Sequence, residues 1–153
     1  MDRYDELIEA VEETGETLEF FGPQKEESIA ALAQLLGVSL PPSYIEFLKR
    51  FGGGGTVGSG ISGIYGDMPQ ALNDGTAYGD TIRTRTDFAL PDHLIVVYRD
   101  ESDAIWCLDT DATDATNEYP VVAYDAGHRR VSTTIAASFA DFFENYLRIR
   151  AQS

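Results

Sequence analysis

The spacing of apolar residues predicts two amphipathic helices with an extended link between them at the start of the chain. Along residues 2 to 13, apolar side chains recur every three or four positions among acidic ones, as in a helix with one buried face: Tyr4, Leu7, Ile8 and Val11. Leu18 to Phe21 predict the extended link. Residues 25 to 36 repeat the helical spacing, and Gly37 is expected to end that helix.

Tandem prolines and a run of glycines bracket a third predicted helix, from about Pro42 to Phe51. Proline fixes φ and lacks an N–H donor, so it suits the first turn of a helix and is excluded from the middle. Glycine favours helix ends, so Gly52 to Gly55 are expected to stop this helix and form a turn.

The second half of the chain changes to strand patterns. Leu94 to Tyr98, Ala104 to Leu108 and Tyr119 to Tyr124 are rich in β-branched and aromatic residues and predict consecutive antiparallel strands. Val57 to Tyr65 predict a further strand interrupted by glycines.

Two more helices complete the prediction. A short one follows a polar loop, at Asp80 to Phe88, and a longer one at about Ile135 to Ile149 carries a broad apolar face that includes Phe139, Phe142 and Phe143. Helices, then strands, then a closing helix indicate an α+β fold, in which N-terminal helices and a C-terminal helix pack on a mainly antiparallel sheet. We expect a single domain over residues 1–153.

Length and composition predict the number of domains and the cellular location. The 153 residues suit one domain, and 43% apolar with 11% aromatic residues suffice for a core. Apolar runs stay below the roughly 18 residues needed to cross a bilayer, and the N-terminus is acidic where a secretory signal is basic and then apolar. Cys107 is the sole cysteine, so an internal disulfide is excluded. These features predict a soluble cytoplasmic protein.

The net charge of −15 is concentrated in two segments. Residues 1–27 and residues 92–125 each carry a net charge of −8. A field of this sign repels nucleic acid and anionic membranes and attracts basic proteins. The alternative is that the acids only keep the surface solvated, as in a halophile or a high-GC genome. Two lysines against nine arginines, with more Asp than Glu, fit that alternative equally well.

Two segments superficially resemble ligand loops. The glycine run lacks the Lys and Ser/Thr that close a phosphate loop, and it follows a helix where a phosphate loop follows a strand. Asp109, Asp111 and Asp114 resemble the start of a calcium loop, but Asp114 stands where the loop needs glycine and Pro120 where it needs glutamate. A structural turn and a solvated hairpin loop are the expected roles.

The remaining chemistry-bearing residues form no catalytic pattern. Cys107 lies in an apolar run typical of a buried cysteine, and its spacing from His128 does not suggest a thiolate pair. Zinc would need more soft ligands than these two residues and His93. We therefore expect neither enzymatic activity nor a cofactor or metal.

Aromatic residues of the predicted strands can serve either of two roles. Tyr98, Trp106 and Tyr124 are expected in the core, against a covering helix. If exposed, such residues beside acids would mark a protein-binding surface.

The segment LPPSYIEFLKRFGGGG resembles the signature of the Smi/Knr-type domain of the SUKH superfamily. Later segments resemble the family's later elements in order, so the similarity extends over about residues 1 to 149: Leu94–Tyr98, Cys107–Asp109, Pro120–Val122, Ser138–Phe139 and Phe142–Phe143. The signature residues are expected to be structural: Pro41, Tyr44, Phe47, Leu48 and Gly53.

The resemblance implies an immunity protein that binds and neutralises a cognate secreted toxin, often a nuclease. Our leading hypothesis is that an acidic strand-and-loop region docks on the toxin's basic cleft through Asp100, Glu101, Asp103, Asp109, Asp111 and Asp114. The alternative is a non-catalytic adaptor or regulatory protein-binding module. An enzyme acting on a small substrate is a third class, which the missing catalytic pattern disfavours.

Overall fold

The computed structural model describes residues 3–100 and 102–152 and has five helices and one sheet of seven strands. The helices are α1 Arg3–Glu13, α2 Glu26–Leu36, α3 Pro42–Arg50, α4 Ala77–Phe88 and α5 Phe139–Ala151. The strands are β1 Leu18–Phe20, β2 Gly54–Thr56, β3 Ser59–Ile61, β4 Leu94–Arg99, β5 Ile105–Asp109, β6 Val121–Asp125 and β7 Arg130–Ala136.

The sheet follows chain order from β1 to β7, and every neighbouring pair is antiparallel. The predicted α+β class with an antiparallel sheet is therefore confirmed. The central strands match the predicted segments to within two residues, as do α1, α2 and α3. Gly37 ends α2 in the left-handed conformation, at φ 70°, as its position predicted.

The larger core lies between one face of the sheet and the helices α1, α2, α3 and α5. The rings of Phe47, on α3, and Phe143, on α5, lie 5.0 Å apart between their centroids, and Phe139 packs equally close to Phe47. Tyr44 and Leu48 are fully buried here, so the predicted structural role of the α3 face agrees with its packing.

The second core lies on the opposite face of the sheet. Because successive strand residues point to opposite faces, Leu94 and Val96 enter this core while Ile95 and Val97 enter the larger one. Helix α4 packs on β4, and the Val96 N–H donates to Thr81 Oγ1 at 3.0 Å. Both faces of the central strands are thus covered.

The glycine run differs from its prediction. We expected Gly52 to Gly55 to form a turn and residues 57–65 to form one strand, but Gly54 and Gly55 lie within β2, which turns at Val57 and Gly58 into β3. A side chain at Gly55 would collide with Tyr146 of α5, since a Cβ would stand 2.2 Å from the Tyr146 hydroxyl. Glycine is needed here so that helix α5 can approach the sheet.

Strand β7 was not predicted. Its first five residues are exposed, so they lack the alternation of apolar and polar side chains that identifies a half-buried strand. Ile135 was assigned to the last helix but belongs to β7, and α5 begins only at Phe139. Ser138 caps α5 by accepting the Asp141 N–H at 3.2 Å.

Helix α4 begins three residues earlier than predicted, at Ala77. Thr76 caps it by accepting the Gly79 N–H at 3.2 Å. Across the part of the chain that the structure describes, no helix is long and apolar enough to cross a membrane.

Candidate protein-binding surface

The acidic residues predicted as the binding site lie at the two ends of the β4–β5 hairpin. Asp100 and Asp103 occupy the turn between β4 and β5, whereas Asp109 ends β5, and Asp111 and Asp114 follow in the loop to β6. A five-residue strand is about 17 Å long, so the hairpin separates the two groups by roughly that distance. The structure does not bring them into one cluster. Glu101 lies outside the described residues.

Asp100 organises the β4–β5 turn. Its Oδ1 accepts the Ser102 N–H at 2.9 Å, the Ser102 hydroxyl at 2.6 Å and the Ala104 N–H at 3.3 Å, while Oδ2 accepts the Tyr98 hydroxyl at 3.0 Å. Burial raises the pKa of Asp100, but the hydrogen bonds from Ser102, Tyr98 and Ala104 outweigh it and lower the pKa below the ordinary aspartate value of 3.8. The turn therefore loses this support only as the pH falls through that lowered pKa.

Asp114 has the same role in the β5–β6 loop. Its Oδ1 accepts the hydroxyl and N–H of Thr116, both at 2.7 Å, and the Glu118 N–H at 3.0 Å. The hydrogen bond from the Thr116 hydroxyl is the main reason that the Asp114 pKa is lowered. This carboxylate fixes the shape of the loop that presents Asp111.

Among the described acids of the two groups, Asp103 and Asp111 are exposed, and their side chains form no hydrogen bond to the loop backbone. Asp103 adopts a left-handed φ of 68° at the tip of its turn. The Asp111 side chain is 74% exposed, and its Oδ2 lies 3.6 Å from His93 Nδ1. Asp109 is more covered, and its Oδ1 lies 3.8 Å from His93 Nε2. Asp103 and Asp111 are thus the members best placed to meet a partner.

Glu118, which was not singled out beforehand, ties the same loop to the helices. Its Oε2 accepts the Ser43 N–H at 2.9 Å, and its Oε1 accepts the Ser43 hydroxyl at 2.7 Å, in the first turn of α3. The Ser43 hydroxyl oxygen in turn accepts the Ala140 N–H of α5 at 3.2 Å. Glu118 therefore supplies the cap that Pro41, at the N-cap, cannot.

The candidate chemical groups lie apart from one another. Cys107 is fully buried in the second core, where burial raises the pKa of its thiol. His128 is an exposed turn residue whose Nδ1 lies 2.8 Å from Asp125 Oδ2. Among the described residues, no group of three His, Cys, Asp or Glu side chains is arranged to hold a metal ion.

The strand aromatics are largely core residues. Tyr98 and Tyr124 are buried, and burial, followed by the hydrogen bond to Asp100, raises the pKa of Tyr98 to about 12. Trp106 is half-buried and stacks on Tyr98 with ring centroids 4.7 Å apart. The three therefore do not form an exposed aromatic patch.

A cleft of about 600 Å³ was not predicted from the sequence. It lies over the glycine-rich hairpin of β2 and β3 and is bordered by Phe21, by Asp74 and Asp80, and by Arg99 and Asp100 of β4 and its turn. The sequence signal that could have revealed it is the density of glycine, because four glycines between 54 and 60 line the cleft with backbone alone. The β4–β5 turn is thus one wall of a concave surface.

A family model described as SMI1-KNR4 cell-wall, SUKH_5, matches residues 4–148. The match includes every strand and most of each terminal helix. This family includes immunity-type and SMI1/KNR4-like proteins, its members are generally non-catalytic, and SUKH domains are associated with binding protein toxins. Since the match covers nearly the whole chain, the protein belongs to the SMI1-KNR4 family of the SUKH superfamily.

Proposed function

We propose that this protein is an immunity protein that binds a cognate secreted toxin, a nuclease, and neutralises it by covering the toxin's active face with an acidic surface. The observation that carries the proposal is the distribution of charge in a family associated with toxin binding. Two segments, each of net charge −8, carry the whole of the net −15, since the other residues sum to +1, and the carboxylates of Asp103 and Asp111 are exposed on hairpin loops.

The chemistry of a nuclease explains why such a surface would fit. A nuclease binds the phosphate backbone with Lys and Arg side chains, so its active face is basic. Carboxylates on a rigid sheet present negative charge to that face without being cleaved. The same charge repels nucleic acid from the inhibitor.

The two acidic groups would have different roles in the complex. Both faces of the central strands are covered by helices, so a partner reaches the β4–β5 hairpin only at one of its ends. We place the contact at the end that carries Asp100 and Asp103, because Asp100 of that turn borders the cleft. Asp109, Asp111 and Asp114, about 17 Å away, would act through long-range attraction.

The first experiment is co-expression of this protein with the product of the neighbouring gene. Growth rescue together with co-purification of the two proteins is the expected result. A toxic neighbour that is neither bound nor neutralised would contradict the proposal.

Charge reversals then test the two roles by measuring binding kinetics with a catalytically inactive toxin at several salt concentrations. Asp103→Lys is expected to weaken binding by about tenfold or more, mainly through faster dissociation, because it removes a contact and introduces repulsion. Asp111→Lys is expected to slow association mainly at low salt, because its effect acts at a distance.

Glu13→Lys is the matched control, since Glu13 is exposed at the end of α1 and the change in charge is identical. It should leave dissociation unchanged. If Asp103→Lys behaves like Glu13→Lys while Asp111→Lys speeds dissociation, the contact lies at the opposite end of the hairpin.

A regulatory adaptor is the second candidate, favoured by the cell-wall description of the matching family model. It predicts that the neighbouring gene is harmless when expressed alone. Deletion of this protein's gene would then alter sensitivity to cell-wall antibiotics, which an immunity protein would not do.

A further inference from the structure

Exposed apolar side chains are concentrated in the β2–β3 turn and in the loop that follows β3. The described residues expose seven large apolar side chains, and four of them lie between positions 57 and 72: Val57, Tyr65, Met68 and Leu72. Their exposed fractions are 81%, 57%, 47% and 57%. Single exposed apolar residues are ordinary, whereas contiguous exposed apolar surface is typical of a binding site, so the contacts among these residues matter.

The loop between β3 and α4 holds three of these side chains in a defined order. The Met68 N–H donates to the Tyr65 carbonyl at 3.3 Å, and the Ala71 N–H donates to the Met68 carbonyl at 3.1 Å. Two successive turns therefore place Tyr65, Met68 and Ala71 at three-residue intervals, and Leu72 follows directly. The loop is anchored at its end by α4, where the Arg83 guanidinium donates to the Leu72 carbonyl.

Phe21 connects this loop to the cleft. Its ring meets the ring of Tyr65 edge to face, with centroids 5.2 Å apart, and packs against Gly53. Phe21 and Val57 both line the cleft. A groove therefore runs from Val57 across the glycine-rich hairpin to Phe21 and Tyr65, and we call it the hairpin groove.

The charge around the hairpin groove is negative. Glu19, Asp74, Asp80 and Asp100 line it, against Arg99 alone. Arg83 offsets part of this charge, since its Nη2 lies 2.8 Å from Asp74 Oδ1 and also pairs with Asp80. Glu19 is exposed on β1 and has no ion-pair partner within the described residues.

We infer that the hairpin groove binds a segment of a basic protein partner that presents an arginine or lysine beside an apolar side chain. The apolar side chain would lie against Tyr65 and Phe21, and the cation would lie over the glycine surface near Glu19. Gly54, Gly55 and Gly60 line the groove with backbone alone, and a long cationic side chain would lie across that backbone. The inference rests on the proposed function only in taking the partner to be a protein, and it names the chemistry of the contact.

Peptide titration followed by amide NMR tests the inference without a known toxin. The probe is acetyl-Leu-Arg-Leu-Arg-amide, and the controls are the Leu-Gln-Leu-Gln and Leu-Glu-Leu-Glu peptides. We expect the arginine peptide to shift the amide signals of Gly54, Gly55, Gly60 and Gly75, which line the groove. The glutamine peptide should bind more weakly, and the glutamate peptide should cause no shifts.

Two substitutions on the groove and two matched controls sharpen the test. Tyr65→Ser and Glu19→Gln should each lower the affinity for the arginine peptide by about fivefold to tenfold. Leu35→Ser, at a side chain 42% exposed on α2, and Glu27→Gln, exposed on the same helix, should leave binding unchanged. Shifts confined to the β4–β5 or β5–β6 loops, no shifts at all, or shifts that persist in both groove variants would overturn the inference.

The outcome separates this inference from the proposed function. If the neighbouring toxin is bound and neutralised with undiminished affinity by Tyr65→Ser and Glu19→Gln, the groove inference fails and immunity stands. If the peptide binds in the groove but the neighbouring protein is neither toxic nor bound, immunity fails and the groove inference stands.

Discussion

At the scale of single residues, Gly55 and Tyr146 show how one missing side chain sets the position of a helix. The Tyr146 hydroxyl donates to the Ser59 carbonyl at 2.7 Å and accepts the Thr56 N–H at 2.9 Å, so it holds both strands of the β2–β3 hairpin. Gly55 has a φ of 137°, which side-chain-bearing residues rarely adopt, and leaves the space that this hydroxyl occupies.

A double-mutant cycle measures this dependence. Gly55→Ala is expected to lower the free energy of unfolding by about 2–4 kcal/mol, through backbone strain and loss of the Tyr146 hydrogen bonds. Tyr146→Phe alone should cost about 1–3 kcal/mol, because it leaves the Thr56 N–H unsatisfied. In the Gly55→Ala background the Tyr146→Phe change should cost much less, since the hydroxyl is already displaced.

Urea unfolding provides these free energies. Gly127→Ala is the control, because the nearest atom to its Cβ would be Asp125 Oδ1 at 3.4 Å, an ordinary contact, and the loss should stay within about 0.5 kcal/mol. Costs at Gly55 and Tyr146 that simply add would show that the two residues act independently.

At the scale of elements, α3 depends on a residue 75 positions away along the chain. Its N-cap is Pro41, which has no side-chain hydrogen bond to offer, and Glu118 from the β5–β6 loop binds the Ser43 N–H and hydroxyl instead. A carboxylate at a helix N-terminus also interacts favourably with the helix dipole. Glu118 thus joins the loop to α3, and the Ser43 hydroxyl extends the connection to the start of α5.

Removal of this carboxylate should loosen all three elements together. Glu118→Ala is expected to lower the free energy of unfolding by about 1–3 kcal/mol, and Glu118→Gln by about half as much, since the amide oxygen still accepts one hydrogen bond. Urea unfolding gives the free energies, and amide hydrogen exchange at Ser43 and Ala140 gives the local effect.

Glu46→Ala serves as the control on the same helix. The Glu46 side chain is 76% exposed, and its ion pair with Lys49 is long, with Oε1 3.8 Å from Nζ, so little change is expected. Equal losses for Glu46→Ala and Glu118→Ala would argue against a capping role for Glu118.

At the scale of the whole molecule, a net charge of −15 on 153 residues opposes folding through self-repulsion. The sequence allows two explanations for the acids, recognition of a basic partner and solvation of the surface in concentrated salt. These explanations predict different effects of salt on stability. Screening of self-repulsion is nearly complete within moderate salt, where the Debye length is below about 10 Å. If the acids serve solvation in concentrated salt, stability should continue to rise with salt beyond that range.

We expect sodium chloride from about 20 mM to 0.5 M to raise the thermal midpoint by about 2–4 °C, equivalent to roughly 1 kcal/mol for a protein of this size, and then to have little further effect. The variant Glu9→Lys/Glu13→Lys has a net charge of −11 and should show a smaller rise. A midpoint that continues to climb above about 1 M would favour the halophilic explanation instead. Differential scanning calorimetry gives both results.

The sequence by itself determined α1, α2, α3 and the strands β4 to β6. These elements are specified by local signals, which lie within or next to the element concerned. The signals are apolar periods of 3.6 and 2 residues, the prolines Pro41 and Pro42 at a helix start, and Gly37 at a helix end. Membership of the SUKH superfamily followed from the order of the same local signals.

Only the tertiary structure decided the rest, because the causes lie far apart in the chain. Position 55 requires glycine because Tyr146 lies against it, and β7 is a strand because β6 pairs with it although most of its side chains are exposed. Antiparallel pairing placed the acids that the sequence grouped together at opposite ends of one hairpin. It also brought Phe21 and Tyr65 together beside the glycine-rich hairpin, a contact between side chains that no local pattern specifies.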